Sequence, residues 1–465
     1  MNYFIKMKRI KSLILALAAT TVMLWGQTEV STPIIPSWER ASEGATVISL
    51  SLQQAKDTAI RYNRQLQNAS YDIKIAQAQR WQTIASMLPQ VTAGYDYQNM
   101  MGFKMEMRIP VGKNPATGED MVNVIERASP PNGTFSISAG MQISGQQIVG
   151  AMINKIAVDM ADISRLQTEQ TITSTVTQLY ISILANRHIV NLLDSSKMNI
   201  EKIYQSTVEA VKIGVTEQTE ADKLYVQVMK LESALNSARQ GLEMTYSSMK
   251  LQLGVSADTH IELTDNLDQL TNAEASLRLL HTKFDITDNY NYRLMSKNLE
   301  LSRKQIKLAA MGYSPSLTIG YRYSDIKYFD GEPMMNMNPP NVFSIGVKVP
   351  LFTSGRTFMS IREKKYSYLK AKNTFDDSHN QLEIKDKQLR FNLNSAYENF
   401  IIQKKNIAVT NSVFNKVAEK FRYGRASSLE VTQASSDFIN AQNTYIQAIM
   451  NMTNAQIELR NLLNK

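Results

Sequence analysis

A repeat at a spacing of 210 residues sets the frame of this chain. Its first copy opens at Ser144-Gly145 and closes at Gly214 in VKIGVTEQTEAD. Its second opens at Ser354-Gly355 in VPLFTSGR and closes at Gly424 in FRYGRASSLEV. In both copies the two glycines stand 69 positions apart, and no proline intervenes. Within the first run Ile172, Val176, Leu179, Ile183, Val190 and Leu193 fall on 4-3 spacing, and Asn186 fills one slot. The equivalent positions are Leu382, Asp386, Leu389, Leu393, Phe400 and Gln403, with Ala396 at the Asn186 slot. A mean spacing of 3.5 is the seam of coiled-coil packing. Each run therefore predicts a helical rod of roughly 100 Å. An internal repeat of this size has to be satisfied by any fold assigned to the chain.

The 465 residues suffice for a large core or several domains. Lys and Arg number 51 against 42 Asp and Glu, a net charge of +9. Lys6, Lys8, Arg9 and Lys11 supply four of these charges at the N-terminus, and the rest are spread along the helices. That distribution argues against nucleic acid as a partner. The absence of cysteine excludes disulfides, thiol chemistry, Cys-ligated zinc and lipid attachment at a cysteine. His188, His260, His281 and His379 lie far apart, and the chain has no phosphate loop, G-x-S-x-G or zinc motif. The expectation is a protein that is not an enzyme and uses no cofactor and no metal.

Residues 1–26 read as a signal peptide: a basic stretch, a short apolar run from Ser12 to Trp25, and a cleavage point at Gly26-Gln27. The alternative is a retained anchor, for which the run is short. Residues 27–48, with Pro33, Pro36 and Trp38, read as an extended leader. Ile48 to Met87 reads as one helix, ended by Leu88-Pro89. Four segments of clean alternation follow at about 89–98, 133–143, 315–323 and 342–351. Each has apolar residues on one side and small polar residues on the other, and the first and third end in tyrosines (Tyr95, Tyr97, Tyr321 and Tyr323), as strands of a membrane barrel do. A soluble sheet wet on one face is the alternative. Four strands cannot close a barrel, because open edges are not tolerated in lipid. Three chains would supply 12 strands, and six helical hairpins would enclose a wide tunnel. Both parts of the sequence thus predict a homotrimer. Residues 99–132 and 325–341 read as surface loops. Their methionines (Met100, Met101, Met105, Met107, Met334, Met335 and Met337) are read as flexible apolar side chains, with soft-metal binding the alternative.

Gly254 to Phe284 breaks the helical pattern and reads as a turn, a short strand at His260 to Leu263 and a small helix, linking the halves. The chain so divides into repeats at 49–265 and 266–465. The two tips, Gly214-Val215-Thr216 and Gly424-Arg425-Ala426-Ser427, read as sharp turns between antiparallel helices, because glycine accepts a left-handed backbone. Glu430 falls in the first turn of a returning helix, where the helix dipole favours an acid.

The LPQ step at Leu88 to Gln90, the P-L-F-x-S-G step at Pro350 to Gly355, and Gly214 and Gly424 occur in order in the two halves. Together they resemble the outer-membrane efflux protein family, the TolC-like channels, over about Leu50 to Leu463. The resemblance implies a helix-dominated membrane α/β protein. Its trimeric 12-stranded β-barrel, four strands per chain, would continue into a long periplasmic α-helical barrel, with a two-fold internal repeat. It implies a passive outer-membrane exit channel of a tripartite efflux system in a Gram-negative bacterium. The partners would be a periplasmic adaptor, a proton-driven or ATP-driven inner-membrane pump and outer-membrane lipid. The exit duct of a type I secretion system, or a structural or adhesive surface stalk, is the alternative.

Carried over by position, Glu430 and Glu220 match entrance acids of the family, while Gln433 replaces a second acid. Ala426 replaces a gate arginine, with Arg425 beside it, and Phe421 replaces a tyrosine. The tips would touch the adaptor. Pro89, Ser144, Gly145, Pro315, Pro350, Ser354 and Gly355 would mark the barrel-to-helix junctions. An Asn-Pro pair common in the first helix is missing, since Arg64 follows Asn63.

Overall fold

The computed structural model describes residues 47–465, except 114, 116, 117, 119, 271, 272 and 332–338. The signal peptide, nearly all of the leader with Trp38, and Met334, Met335 and Met337 lie outside the described residues. The first half comprises β1 (Val47–Leu50), α1 (Leu52–Tyr62), α2 (Arg64–Ala85), β2 (Gln90–Gln98), β3 (Lys104–Lys113), β4 (Asp120–Ala128), β5 (Asn132–Ser144), α3 (Gly145–Lys212) and α4 (Gln218–Leu253). The linking segment carries β6 (His260–Leu263), α5 (Leu267–Leu270) and α6 (Ala273–His281). The second half follows with α7 (Tyr290–Ala310), β7 (Ser316–Tyr328), β8 (Asn341–Lys348), α8 (Arg356–Arg422) and α9 (Ser428–Leu463).

The repeat is explicit in the helix lengths. α3 has 68 residues and α8 has 67, α4 and α9 have 36 each, and α2 and α7 have 22 and 21. The long helices are rods of about 100 Å. Their seams fold α3 against α4 and α8 against α9, so each half is one antiparallel hairpin. The tip core joins both hairpins: Leu193, Ile200, Leu224, Val228, Leu231 and Leu235 pack with Phe414, Val431 and Ala434.

Midway along the rods the linking segment packs onto α3. β6 pairs in parallel with β1, and Tyr180 on α3 is fully buried beneath them. Its phenol donates to Leu50 O at 2.9 Å and lies 2.9 Å from the Asp265 carboxylate. Burial pushes its pKa up to about 12. The second-half clamp is Arg390, which holds Asp386 at 2.9 Å and donates to Leu280 O and Thr282 O at 2.5 and 2.7 Å.

Two expectations are corrected. Ile48 to Met87 is not one helix but a strand and two helices divided at Asn63. Asn63 is extended (ψ 125°), and its side-chain oxygen accepts from Gln65 N and Leu66 N. Its amide donates to Gln252 O at 2.8 Å, so an asparagine alone caps the new helix and ties the break to α4. Residues 99–132 are not a loop throughout: β3 and β4 pair antiparallel as a separate two-stranded ribbon. The ladder shifts register between Pro110 and Gly112, and this bulge accommodates the residues that read as loop signals.

Candidate functional site

Four strands pair antiparallel in the order β2-β5-β7-β8. Their register decides what each face carries. Val91, Ala93 and Tyr95 oppose Ala139, Ile137 and Phe135, and Met141 and Ile143 continue that face on β5. The row continues through Leu317, Ile319, Tyr321 and Tyr323 to Val347, Ile345 and Phe343. The opposite face carries Thr92, Gly94, Ser136, Ser138, Gly140, Gln142, Thr318, Gly320, Arg322, Ser344, Gly346 and Lys348. One face is therefore continuously apolar and the other small and polar. In one copy the apolar edge is bare: Phe343 and Val347 are each 66% exposed. Tyr95, Tyr97, Phe135 and Tyr323 lie in the half of the sheet farther from the rods. Among the described residues the outer strands β2 and β8 each have one partner, which leaves two unpaired ladder edges.

Capped junctions join sheet to rods. Ser144 caps α3 in a capping box with Gln147, whose amide also reaches Ser86 O and Oγ at 3.5 Å. A Cβ on Gly145 would stand 2.6 Å from both Met311 Sδ and Ser314 Oγ, so only glycine lets the two halves approach here. Ser354 and Gly355 both take positive φ, 49° and 77°, to turn the chain into α8. Pro89 lies between α2 and β2, Pro315 just before β7, and Pro350 just after β8.

At the far end the two tips have one backbone design. Gly214 and Gly424 have φ of 75° and 67°. Val215 N donates to Ala210 O and Arg425 N to Lys420 O, both at 2.9 Å, closing each helix with the same bond. The returning helices then differ at one position. Ser427 caps α9: its hydroxyl accepts from Glu430 N, and the Glu430 carboxylate accepts from Ser427 N at 2.7 Å. The equivalent residue in the first tip is Glu217, which makes no side-chain cap. Glu220, the equivalent of Glu430, is thus free of a capping box. Its carboxylate accepts from Lys223 Nζ at 2.7 Å and from the Ser428 hydroxyl across the hairpins.

Lys223 and Ser428 hold Glu220 below the usual carboxylate range. The Ser427 amide and hydroxyl do the same for Glu430, helped by the charge of Lys420. Arg425 closes the turn through its backbone N–H, and Lys420 adds positive charge near Glu430. Gln433 donates to Asp437 at 2.8 Å. Ser428, wholly buried, is named by the sequence only as an alternative cap to Ser427, and its bond to Glu220 is the contact that the sequence reading missed. Its signal was the Ser-Ser pair: once Ser427 caps the helix, Ser428 is left for a partner. Between the hairpins lies an open groove of about 1110 Å³, whose lining includes Thr216, Glu220, Phe421, Ala426 and Ser428. Among the described residues, no cluster of three or more His, Asp or Glu side chains could hold a metal ion. None of the described helices is long and apolar enough to cross a membrane.

The sequence model described as Outer membrane efflux protein matches residues 293–465, the whole of the second repeat from α7 onward. That match spans 173 of the 465 residues. Beyond that match, the chain has relatives of low identity and similar fold. The outer membrane protein TolC of Vibrio cholerae is 23% identical over 289 residues, which span 50% of this chain and 66% of that protein, just under two thirds. The CmeC outer membrane channel of Campylobacter jejuni superposes with a TM-score of 0.68 at 14% identity, covering 89% of this chain and 85% of that one. The MtrE outer membrane channel of Neisseria gonorrhoeae, solved in an open state, gives 0.65 at 14% identity, covering 89% and 88%. The efflux-protein fold is shared along almost the whole described chain.

Proposed function

We propose that three copies of this chain form a passive exit duct in the outer membrane of a Gram-negative bacterium. The observation that carries this reading is the register of the four-stranded sheet. A sheet apolar on one face, polar on the other and open at both edges is satisfied when β8 of one copy pairs with β2 of the next. Three copies give 12 strands, within the range of transmembrane barrels, and leave no edge in lipid. The apolar face then meets hydrocarbon, the aromatic residues lie at the outer interface, and the small polar face lines the lumen. The six hairpins form a tunnel in the periplasm. A soluble stalk gives no account of the bare apolar face.

The family supports a place in a tripartite efflux system, in which an inner-membrane pump and a periplasmic adaptor deliver small molecules such as drugs, dyes or metal ions. The role is transport, with no chemistry on the cargo. In this reading Gly214, Val215, Thr216, Gly424, Arg425, Ala426 and Ser427 are the tips that meet the adaptor. Glu430 and Gln433 face the entrance with Arg425 nearby, and Glu220 holds the two hairpins of its own chain together. Residues 1–26 are the signal peptide and 27–48 the leader, and the repeats divide at 265/266.

The test is native mass measurement in detergent, followed by planar-bilayer recording. The expected result is a trimer of about 150 kDa of protein that conducts ions. A monomer or dimer as the conducting species, or a trimer that is soluble without detergent and does not conduct, overturns the reading.

A further inference from the structure

Among the described residues, the ribbon of β3 and β4 pairs with no other strand. Its root half has two unlike faces. Met105, Met107 and Ile109 form a row on β3, facing Arg127, Ile125 and Asn123 of β4 in register. The other face carries Lys104, Glu106, Arg108 and Glu126, with Ala128 and Val124 opposite Lys104 and Arg108. There Lys104 lies 3.5 Å from Glu126 and Arg108 3.6 Å from Glu106. The charged face neutralises itself and suits water. The apolar row is uncovered, with Met105 and Ile109 41% and 42% exposed. A two-stranded ribbon is marginal alone and needs its apolar side packed against something.

Its root indicates what that is. The ribbon leaves β2 through a turn closed by Phe103 N donating to Met100 O, with Gly102 at φ 77°, and returns to β5 through Pro130-Pro131. β2 is an edge of the four-stranded sheet. Each ribbon is therefore rooted beside a boundary between copies, and threefold symmetry sets three identical apolar rows around one opening.

We propose that the three ribbons of a trimer pack against one another through Met105, Met107, Ile109 and Ile125 and cap the external mouth of the duct. This rests on the trimeric reading above. The occupant of each apolar row is another copy of the same ribbon, and the charged faces point to water.

The chain has no cysteine, so single cysteines report cleanly. Ile109→Cys and, on the charged face, Arg108→Cys are made in the full-length protein in outer-membrane vesicles. They are treated with a short bis-maleimide or with a membrane-impermeant maleimide. Ile109→Cys is expected to give covalent dimers in most of the protein and to label at least tenfold more slowly than Arg108→Cys, which stays uncrosslinked. Deleting Lys104–Ala128 is expected to raise single-channel conductance at least twofold with the trimer mass otherwise unchanged. An intact trimer in which Ile109→Cys does not crosslink, whether it labels freely or is shielded by lipid or a foreign partner, overturns the cap alone. So does unchanged conductance after the deletion. Loss of the trimer in the parent overturns the reading beneath it.

Discussion

At the residue scale, the two tips show how one side chain redirects another. Ser427 engages Glu430 in a capping box, whereas Glu217 leaves Glu220 to reach Ser428 on the other hairpin. Gln suits a capping box as Glu does. Glu430→Gln is therefore expected to leave thermal stability unchanged while lowering cation preference and block by multivalent cations in bilayer recordings. Unchanged selectivity at low salt, where screening is weakest, would move the entrance ring elsewhere, with Asp437 and Asp222 the next acids. Ser427→Ala removes the cap itself and is expected to cost about 1 kcal/mol, read as a lower denaturant midpoint. Glu220→Gln and Ser428→Ala should each raise the conductance of the partner-free channel. The contact is worth about 0.2–1 kcal/mol per copy, since Glu220 is partly exposed, and three copies make the shift measurable. The sign with pH follows from the depressed pKa of Glu220. Its contribution is complete above the ordinary value of 4.5 and is lost as pH falls through the depressed one. Conductance without a partner is expected to climb at acid pH in the parent, and to climb less in Glu220→Gln.

At the element scale, the long rods and the four strands of the main sheet were legible because each obeys one period over many residues. The misses have local causes. The division at Asn63 depends on a side chain that bonds two amides and a carbonyl of α4, and no period registers that. Asn63→Ala is expected to lower stability by about 1–2 kcal/mol in chemical unfolding, from the lost cap and the stranded Gln252 carbonyl. Asp386 stands where the repeat called for an apolar residue, and only its pairing with Arg390 explains it. Alternation in Met105, Met107 and Ile109 was masked by Pro110 and Gly112, which a bulge absorbs. At the tip, Glu220 and Glu430 were found from their places after the glycines, but their unlike partners were not, because that depends on the residue three positions earlier. The main sheet offers the sharpest test of facing. Ile345→Lys, on the apolar face, is expected to cost about 2–4 kcal/mol if it lies at mid-depth in the bilayer. Ser344→Lys, one residue away, should assemble normally and alter selectivity. Heat-modified mobility on gels, with bilayer recording, separates the two, and equal loss in both would contradict the assigned faces.

At the scale of the whole molecule, a helical hairpin and a pair of sheet strands recur because a duplicated unit solves the same packing problem twice. Neither unit is complete without the other, and in the proposed trimer neither is one chain without its neighbours. The two open ladder edges of the sheet then carry a genetic consequence. A chain whose β8 cannot pair still presents a sound β2, so it enters assemblies and spoils them. Co-expressed in equal amount with the parent and mixing at random, it would leave about one assembly in eight free of defective chains. A β8 lesion of this kind is dominant: export would fall to roughly an eighth although half the chains are sound.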